Sequence, residues 1–195
     1  MASGLTWLSP GDKEEVFFKS LPELPDRIIG LLCPVIIEDR LERILRSRWH
    51  DVALKGRSLL EELFQISGPL GNFGTQIKIA FATGVFGEDV YCDLTRIIKI
   101  RNLFAHNLEF DSFSNNEVLA HVNNLKLPSL YPHVDGTVYL SDGFDGKDIA
   151  LAFVKLTDYK DMSIPRDKFI RTNQIISTFL ALMFPEKPEL PVPSF

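Results

Sequence analysis

Apolar residues recur at helical spacing along most of this chain. Over 26–49 they fall at Ile28, Ile29, Leu32, Ile36, Leu41, Ile44 and Leu45, the stripe expected of a helix packed on one side. Asp26, directly after Pro25, is the expected N-cap. Pro34 lies inside the run; lacking an N–H and crowding the carbonyl four residues back, it is expected to kink or interrupt the helix. A second helix is expected over about 52–66, through Leu54, Leu59, Leu60, Leu63 and Phe64, stopping at Ser67-Gly68-Pro69. GPLGNFGT then reads as a rigid turn. It has neither GxGxxG nor the Walker spacing, so its glycines are expected to let two helices pack closely and not to cradle phosphate.

Helices are expected over about 75–83 and, after a turn from Gly84 to Gly87, from Glu88 onward, where Glu88 and Asp89 suit the positive end of the helix dipole. The apolar face of the latter runs Val90, Leu94, Ile97, Ile98, Phe104 and Ala105. A short helix over 114–125, capped by Ser114 or Asn115, ends before Pro128. Between 128 and 165 the pattern weakens: Thr137, Val138, Tyr139 and Leu140 are a candidate strand, 148–156 reads as helix or strand, and three Asp-Gly pairs mark loops. Pro165 opens a last helix to about 183 that buries Phe169, Ile175, Ile176, Phe179, Leu180 and Leu182, and the tail PEKPELPVPSF is expected to be extended. The sum is one mainly α domain spanning 1–195: a helical bundle with an irregular segment, a short strand or hairpin, at 128–165 and a C-terminal helix at 165–184.

Composition adds exclusions. At 195 residues, 45% hydrophobic and 24% charged, the chain matches an ordinary globular mix, and no stretch approaches the ~18 uninterrupted apolar residues of a membrane span. Cys33 and Cys92 sit in apolar helical patterns and are expected to be buried reduced thiols. With a start, MASGLTWLSPGDKEE, unlike a secretion signal, this points to the cytoplasm. No metal-ligand spacing is present, and no cofactor is expected.

A net charge of -5 argues against coating nucleic acid by bulk electrostatics. The distribution is uneven: Lys plus Arg against Asp plus Glu is 3 to 7 over 1–39, 10 to 7 over 40–106 and 8 to 12 over 107–195. The basic middle is densest at Arg40, Arg43, Arg46 and Arg48, continued by Lys55 and Arg57. These arginines are candidate nucleic-acid or anion contacts, with a solvated helix side as the alternative.

The other candidate chemistry is IRNLFAH, residues 100–106. Arg101 and His106 are five positions apart, so on an unbroken helix they diverge by about 140°, whereas Asn102 and His106, at i and i+4, share a face. Arg101 continues the line of Leu94 and Ile97 toward a packed surface, where it needs a carboxylate, carbonyls or a partner subunit. The pair becomes functional if the helix ends near Phe104, letting His106 swing back, or if a two-fold dimer brings two motifs into one cleft. An imidazole exchanging protons with a ribose hydroxyl and a guanidinium steadying phosphate charge would then cleave RNA without metal. The structural alternative is that Arg101 binds carbonyls or an acidic neighbour and His106 serves the helix's negative end.

The run GPLGNFGTQIKIAFATGVFGEDVYCDLTRIIKIRNLFAH resembles the signature of the mannitol operon repressor family: a PLG-x-F turn followed by a helix ending in an IRN-x-FAH-like motif. The resemblance covers about 25–125, and 128–165 departs from it. It implies an all-helical, commonly dimeric fold without a helix-turn-helix and a role in operon control. IRNLFAH is also similar to the motif of the wider HEPN superfamily, in which Arg101, Asn102 and His106 match positions that form a metal-independent ribonuclease site in active members. Many members keep the fold for binding alone.

Three functions follow. The favoured expectation is a regulatory, non-enzymatic helical homodimer acting through protein or nucleic-acid contacts. The second is an endoribonuclease using Arg101, Asn102 and His106. The third is a protein-interaction module presenting 128–165 and the Pro-rich tail. Sequence-specific DNA binding is not favoured: Arg40, Arg43 and Ser47 form the one line resembling a groove-reading helix. His50, His121 and His133 are scattered, and no membrane contact is expected.

Overall fold

In the computed structural model, described for residues 17, 20–49, 53–54, 57–130, 138–140, 149–151 and 161–183, seven α-helices account for most of the described backbone. After a 3-10 turn, Leu21–Glu23, come α1 (Asp26–Arg48), α2 (Leu59–Phe64), α3 (Phe73–Ala82), α4 (Glu88–His106), α5 (Asn116–Asn123), α6 (Leu127–Leu130) and α7 (Pro165–Met183). Two minimal antiparallel ladders interrupt them: β1 (Ala53–Leu54) with β2 (Arg57–Ser58), and β3 (Val138–Leu140) with β4 (Ile149–Leu151). The fold is mainly α. The expected strand at 138–140 forms, within a hairpin, and 149–151 settles the helix-or-strand choice as strand for those three residues. The extended tail, the Asp-Gly loops, His50 and His133 lie outside the described residues.

α1 packs most extensively against α7, then against α4 and α3, and α4 also packs on α3 and α5. Ile29, Cys33, Ile37 and Leu41 of α1 meet Leu94, Ile97, Ile100 and Phe104 of α4 in one buried cluster. Phe113 lies edge-on to Phe104, ring centroids 5.1 Å apart, and 4.8 Å from Phe169 of α7, so three aromatic rings join α4, the loop after it and α7. The helices approach closely at Gly30 of α1, where an added Cβ would overlap the Phe104 ring, 2.6 Å from its Cε2. This is the close approach expected of the GPLGNFGT glycines. Two of those act otherwise: a Cβ on Gly68 would strike the Glu62 and Leu63 carbonyls of α2, and one on Gly71 the Gln65 and Ile66 carbonyls, so both serve the tight return of the chain after α2, while at Gly74 a Cβ would lie 3.8 Å from Ile98 of α4.

Several local expectations yield to tertiary partners. α1 runs through Pro34 without interruption, with Pro34 buried among its neighbours, so packing on two helices outweighs the lost hydrogen bond. The N-cap position of α1 is Pro25, with no side-chain cap. Asp26 instead receives the Arg166 guanidinium (3.0 Å), the Phe113 N–H (3.0 Å) and the Ser112 hydroxyl (3.2 Å). The helix expected over 52–66 shrinks to Leu59–Phe64, because the Ser58 hydroxyl accepts the Glu61 N–H (3.1 Å) and fixes its start. Asn72 caps α3 and Asn115 caps α5 in the same way. On α4, Ala105 is exposed and Ile98 half-buried, while Ile100, absent from the expected face, is fully buried. Cys33 is buried and free, and burial pushes its thiol far up; Cys92 is also free but only half-buried.

The connection that sets the lower end of the bundle is Asp93, a fully buried carboxylate on α4. It accepts the backbone N–H groups of Lys126 (2.9 Å) and Leu127 (2.9 Å), which open α6, and a hydrogen bond from Arg96 (3.3 Å). Burial raises its pKa, while the two N–H groups and Arg96 pull the other way. Asp93→Ala leaves those amides without an acceptor and is expected to cost about 2 kcal/mol or more. Chemical denaturation checks this, and Asp93→Asn, which retains one carbonyl, should lose less. An Asp93→Ala protein as stable as wild type would remove the structural role.

Candidate functional site

α4 stays helical to His106, so His106 does not swing back after Phe104, and the first arrangement expected to join it to Arg101 does not form. Arg101 leaves α4 toward α1 and pairs with Glu38 at 2.9 Å; the two side chains are 32% and 27% exposed. Asn102 and His106 are both exposed on another side of α4, on the same face as Lys99 one turn earlier. His106 lies in the last turn of α4, and the carbonyls just beyond the helix, those of Asn107 and Leu108, accept hydrogen bonds from Arg27 of α1 (3.2 and 3.1 Å). Within the chain, the guanidinium and the imidazole are not brought together.

The arginine line of α1 is largely engaged by the fold. Arg40 donates to the Ser177 carbonyl of α7 (2.8 Å), and Arg48 to the Thr83 carbonyl after α3 (3.2 Å). Arg46 contacts Glu42 (2.8 Å) and Glu61 of α2 (2.9 Å), with its guanidinium carbon 4.4 Å from the Phe64 ring centroid. Arg43 pairs with Asp39 one turn back (3.0 Å), both side chains mostly exposed. Arg40 and Arg46 therefore act as clamps holding α7 and α2 onto α1.

A different basic surface emerges where α4, the α5–α6 turn and α7 meet. Arg96, Lys126 and Lys168 line one pocket of about 340 Å³ there, together with Asn123 and Ser129. His121 lies nearby; its own burial first, then Lys99 and Arg96, hold its pKa below the usual range, so it is neutral at pH 7. No short window of sequence contains this set. The one local signal was an acid, Asp93, set between Val90, Leu94 and Ile97 on the apolar side of α4, which called for donors from elsewhere. Among the described residues no three His, Cys, Asp or Glu side chains group as metal ligands, and no helix is long and apolar enough to cross a membrane.

The Glu38–Arg101 pair is a partly exposed bridge between helices, so its strength is modest. A double-mutant cycle with Glu38→Gln and Arg101→Gln should give a coupling of about 0.5–1 kcal/mol that shrinks in about 1 M salt. Zero coupling at low salt would mean that the contact does not persist in solution.

The geometry can be set beside known proteins. No curated protein matches this chain. The family profile described as mannitol repressor matches residues 31–186, which includes α1 from Leu31 onward, the IRNLFAH end of α4, the 128–165 segment and α7. The chain belongs to the mannitol repressor family.

Proposed function

We propose that this protein is a non-enzymatic regulator that works as a helical dimer through protein contacts. The observation that carries the reading is the engagement of its arginines: Arg101 is held by Glu38, and Arg40, Arg46 and Arg48 by groups of the same chain. A ribonuclease needs the Arg101 cation facing a scissile phosphate, with His106 in reach of the same atoms. A groove-reading repressor needs several free donors on one exposed helix. Among the described residues, the contacts of Arg101, Arg40, Arg46 and Arg48 favour neither arrangement.

α1 instead presents a partly exposed apolar stripe. Ile28, Leu32 and Val35, at i, i+4 and i+7, are 38%, 41% and 45% exposed, next to the buried stripe that faces α4 and α7. Side chains of this kind at helical spacing suit a second helix, and a second copy supplies one across a two-fold axis. Family membership supports regulation as the role.

Light scattering across a concentration series tests the assembly: the wild-type chain should be dimeric at micromolar concentration, and Leu32→Glu with Val35→Glu should be monomeric with an unchanged circular dichroism spectrum. A wild-type monomer at every concentration removes the dimer. Two further measurements separate the other functions. The protein should leave a mixed RNA pool uncut at neutral pH with and without EDTA; cleavage abolished by His106→Ala would establish the ribonuclease in its place. It should not retard its own upstream DNA, and retardation at low salt that fades as salt rises would restore direct repression.

A further inference from the structure

Three cations distant in sequence converge on one open pocket. Arg96 comes from α4, Lys126 from the turn before α6 and Lys168 from α7; Asn123, Asn124 and Ser129 add polar lining, and among the described residues no carboxylate lines it. We propose that this pocket binds the phosphate group of a small phosphorylated metabolite, with Arg96, Lys126 and Lys168 as its charged contacts.

Each cation is positioned by one bond and keeps further donors. The Arg96 guanidinium gives one hydrogen bond to buried Asp93 (3.3 Å) and makes no other among the described residues. Lys168 donates to the Asn123 carbonyl (2.8 Å), a neutral group, and retains two N–H bonds. Lys126 meets Asp89 at 3.3 Å, but both side chains are half exposed, so the pair is weak enough for a ligand phosphate to displace. Asp93 cannot turn toward the pocket, because its oxygens are held by the Lys126 and Leu127 amides.

Two features favour an anion beyond the lining itself. Burial holds the Lys168 amine below its usual range, with Asp93 acting in the opposite sense, the position of a cation partly stripped of water. One turn along α7 from Lys168, Arg171 is only 3% exposed and neither terminal nitrogen has a hydrogen-bond partner among the described residues. Its burial lowers its pKa to about 10, so it is still charged at pH 7 and adds positive charge on the adjoining side of α7.

Size and charge select the ligand class. The pocket lies at the small end of the ~300–1,000 Å³ typical of small-molecule sites. A chain of net charge -5 repels a long polyanion more than a single dianion that enters one basic pocket. Asn123 and Ser129, whose side chains make no other hydrogen bonds among the described residues, suit hydroxyl groups on the remainder of the molecule.

This inference is independent of the dimer, the gel shift and the RNA assay. The full chain is melted in inorganic phosphate, glucose 6-phosphate or glucose, each against chloride at matched ionic strength, and binding is measured by calorimetry. Inorganic phosphate and glucose 6-phosphate should both raise the melting temperature, and glucose should not. Lys126→Met and Lys168→Met should each weaken phosphate binding about tenfold, the size of one charge-assisted hydrogen bond, while Lys78→Met on α3 leaves it unchanged. No shift beyond that of chloride overturns the proposal, as does binding that survives both lysine variants. Poly(U) that binds through the same lysines and outcompetes glucose 6-phosphate would assign the pocket to a nucleic-acid backbone and overturn the metabolite.

Discussion

One buried carboxylate governs the part of the molecule where its cations gather. Asp93 sits on the apolar side of α4, out of water, and such an anion persists only where donors meet it. Two of those donors are the amides of Lys126 and Leu127, so meeting the carboxylate's needs also fixes where α6 begins and sets the Lys126 side chain beside Arg96. Lys168 is held to the end of α5 by the Asn123 carbonyl. The basic pocket is thus a by-product of satisfying a single buried charge, and the same bonds keep the Asp93 carboxylate out of the pocket lining although it offsets part of the charge of Arg96.

The opposite pattern holds along α1. Its charged residues face neighbours that use them: Glu38 takes Arg101, Asp26 takes Arg166, and Arg40 and Arg46 fasten α7 and α2. Arginine suits this work, since its planar fork reaches carbonyls and carboxylates while its stem covers apolar surface. A stripe that looks like a nucleic-acid footprint when counted along the chain therefore functions mostly as internal bracing. What the first half of α1 leaves exposed is apolar, at Ile28, Leu32 and Val35, while Asp39 and Arg43 continue the exposed side with an ion pair.

The sequence made the long helices legible because their apolar spacing extends over several turns, enough to outweigh even Pro34 in α1. It failed where a local rule competed with a distant partner. Asp26 has the sequence position of a cap, yet Arg166 and Phe113 claim its carboxylate. The helix over 52–66 looked continuous in Leu residues, but the Ser58–Glu61 cap, visible in the sequence as S-x-x-E, was the better guide to its start. At the candidate site, the i and i+4 relation of Asn102 and His106 was readable, as was the need of Arg101 for a counter-ion; that Glu38 supplies it was not, because the pairing spans 63 residues. For the same reason Arg96, Lys126 and Lys168 carried no signal until the fold assembled them.

The Arg166 clamp has a consequence for how the chain is made. Its guanidinium binds Asp26 and the carbonyls of Leu21 and Leu24, contacts that span 140 to 145 residues, and α7 is the most extensive partner of α1. During synthesis the apolar side of α1 leaves the ribosome long before α7 exists to cover it. Closure by such distant segments carries a loop entropy that delays it. The nascent chain therefore leaves the apolar side of α1 without its main cover until α7 has been synthesised.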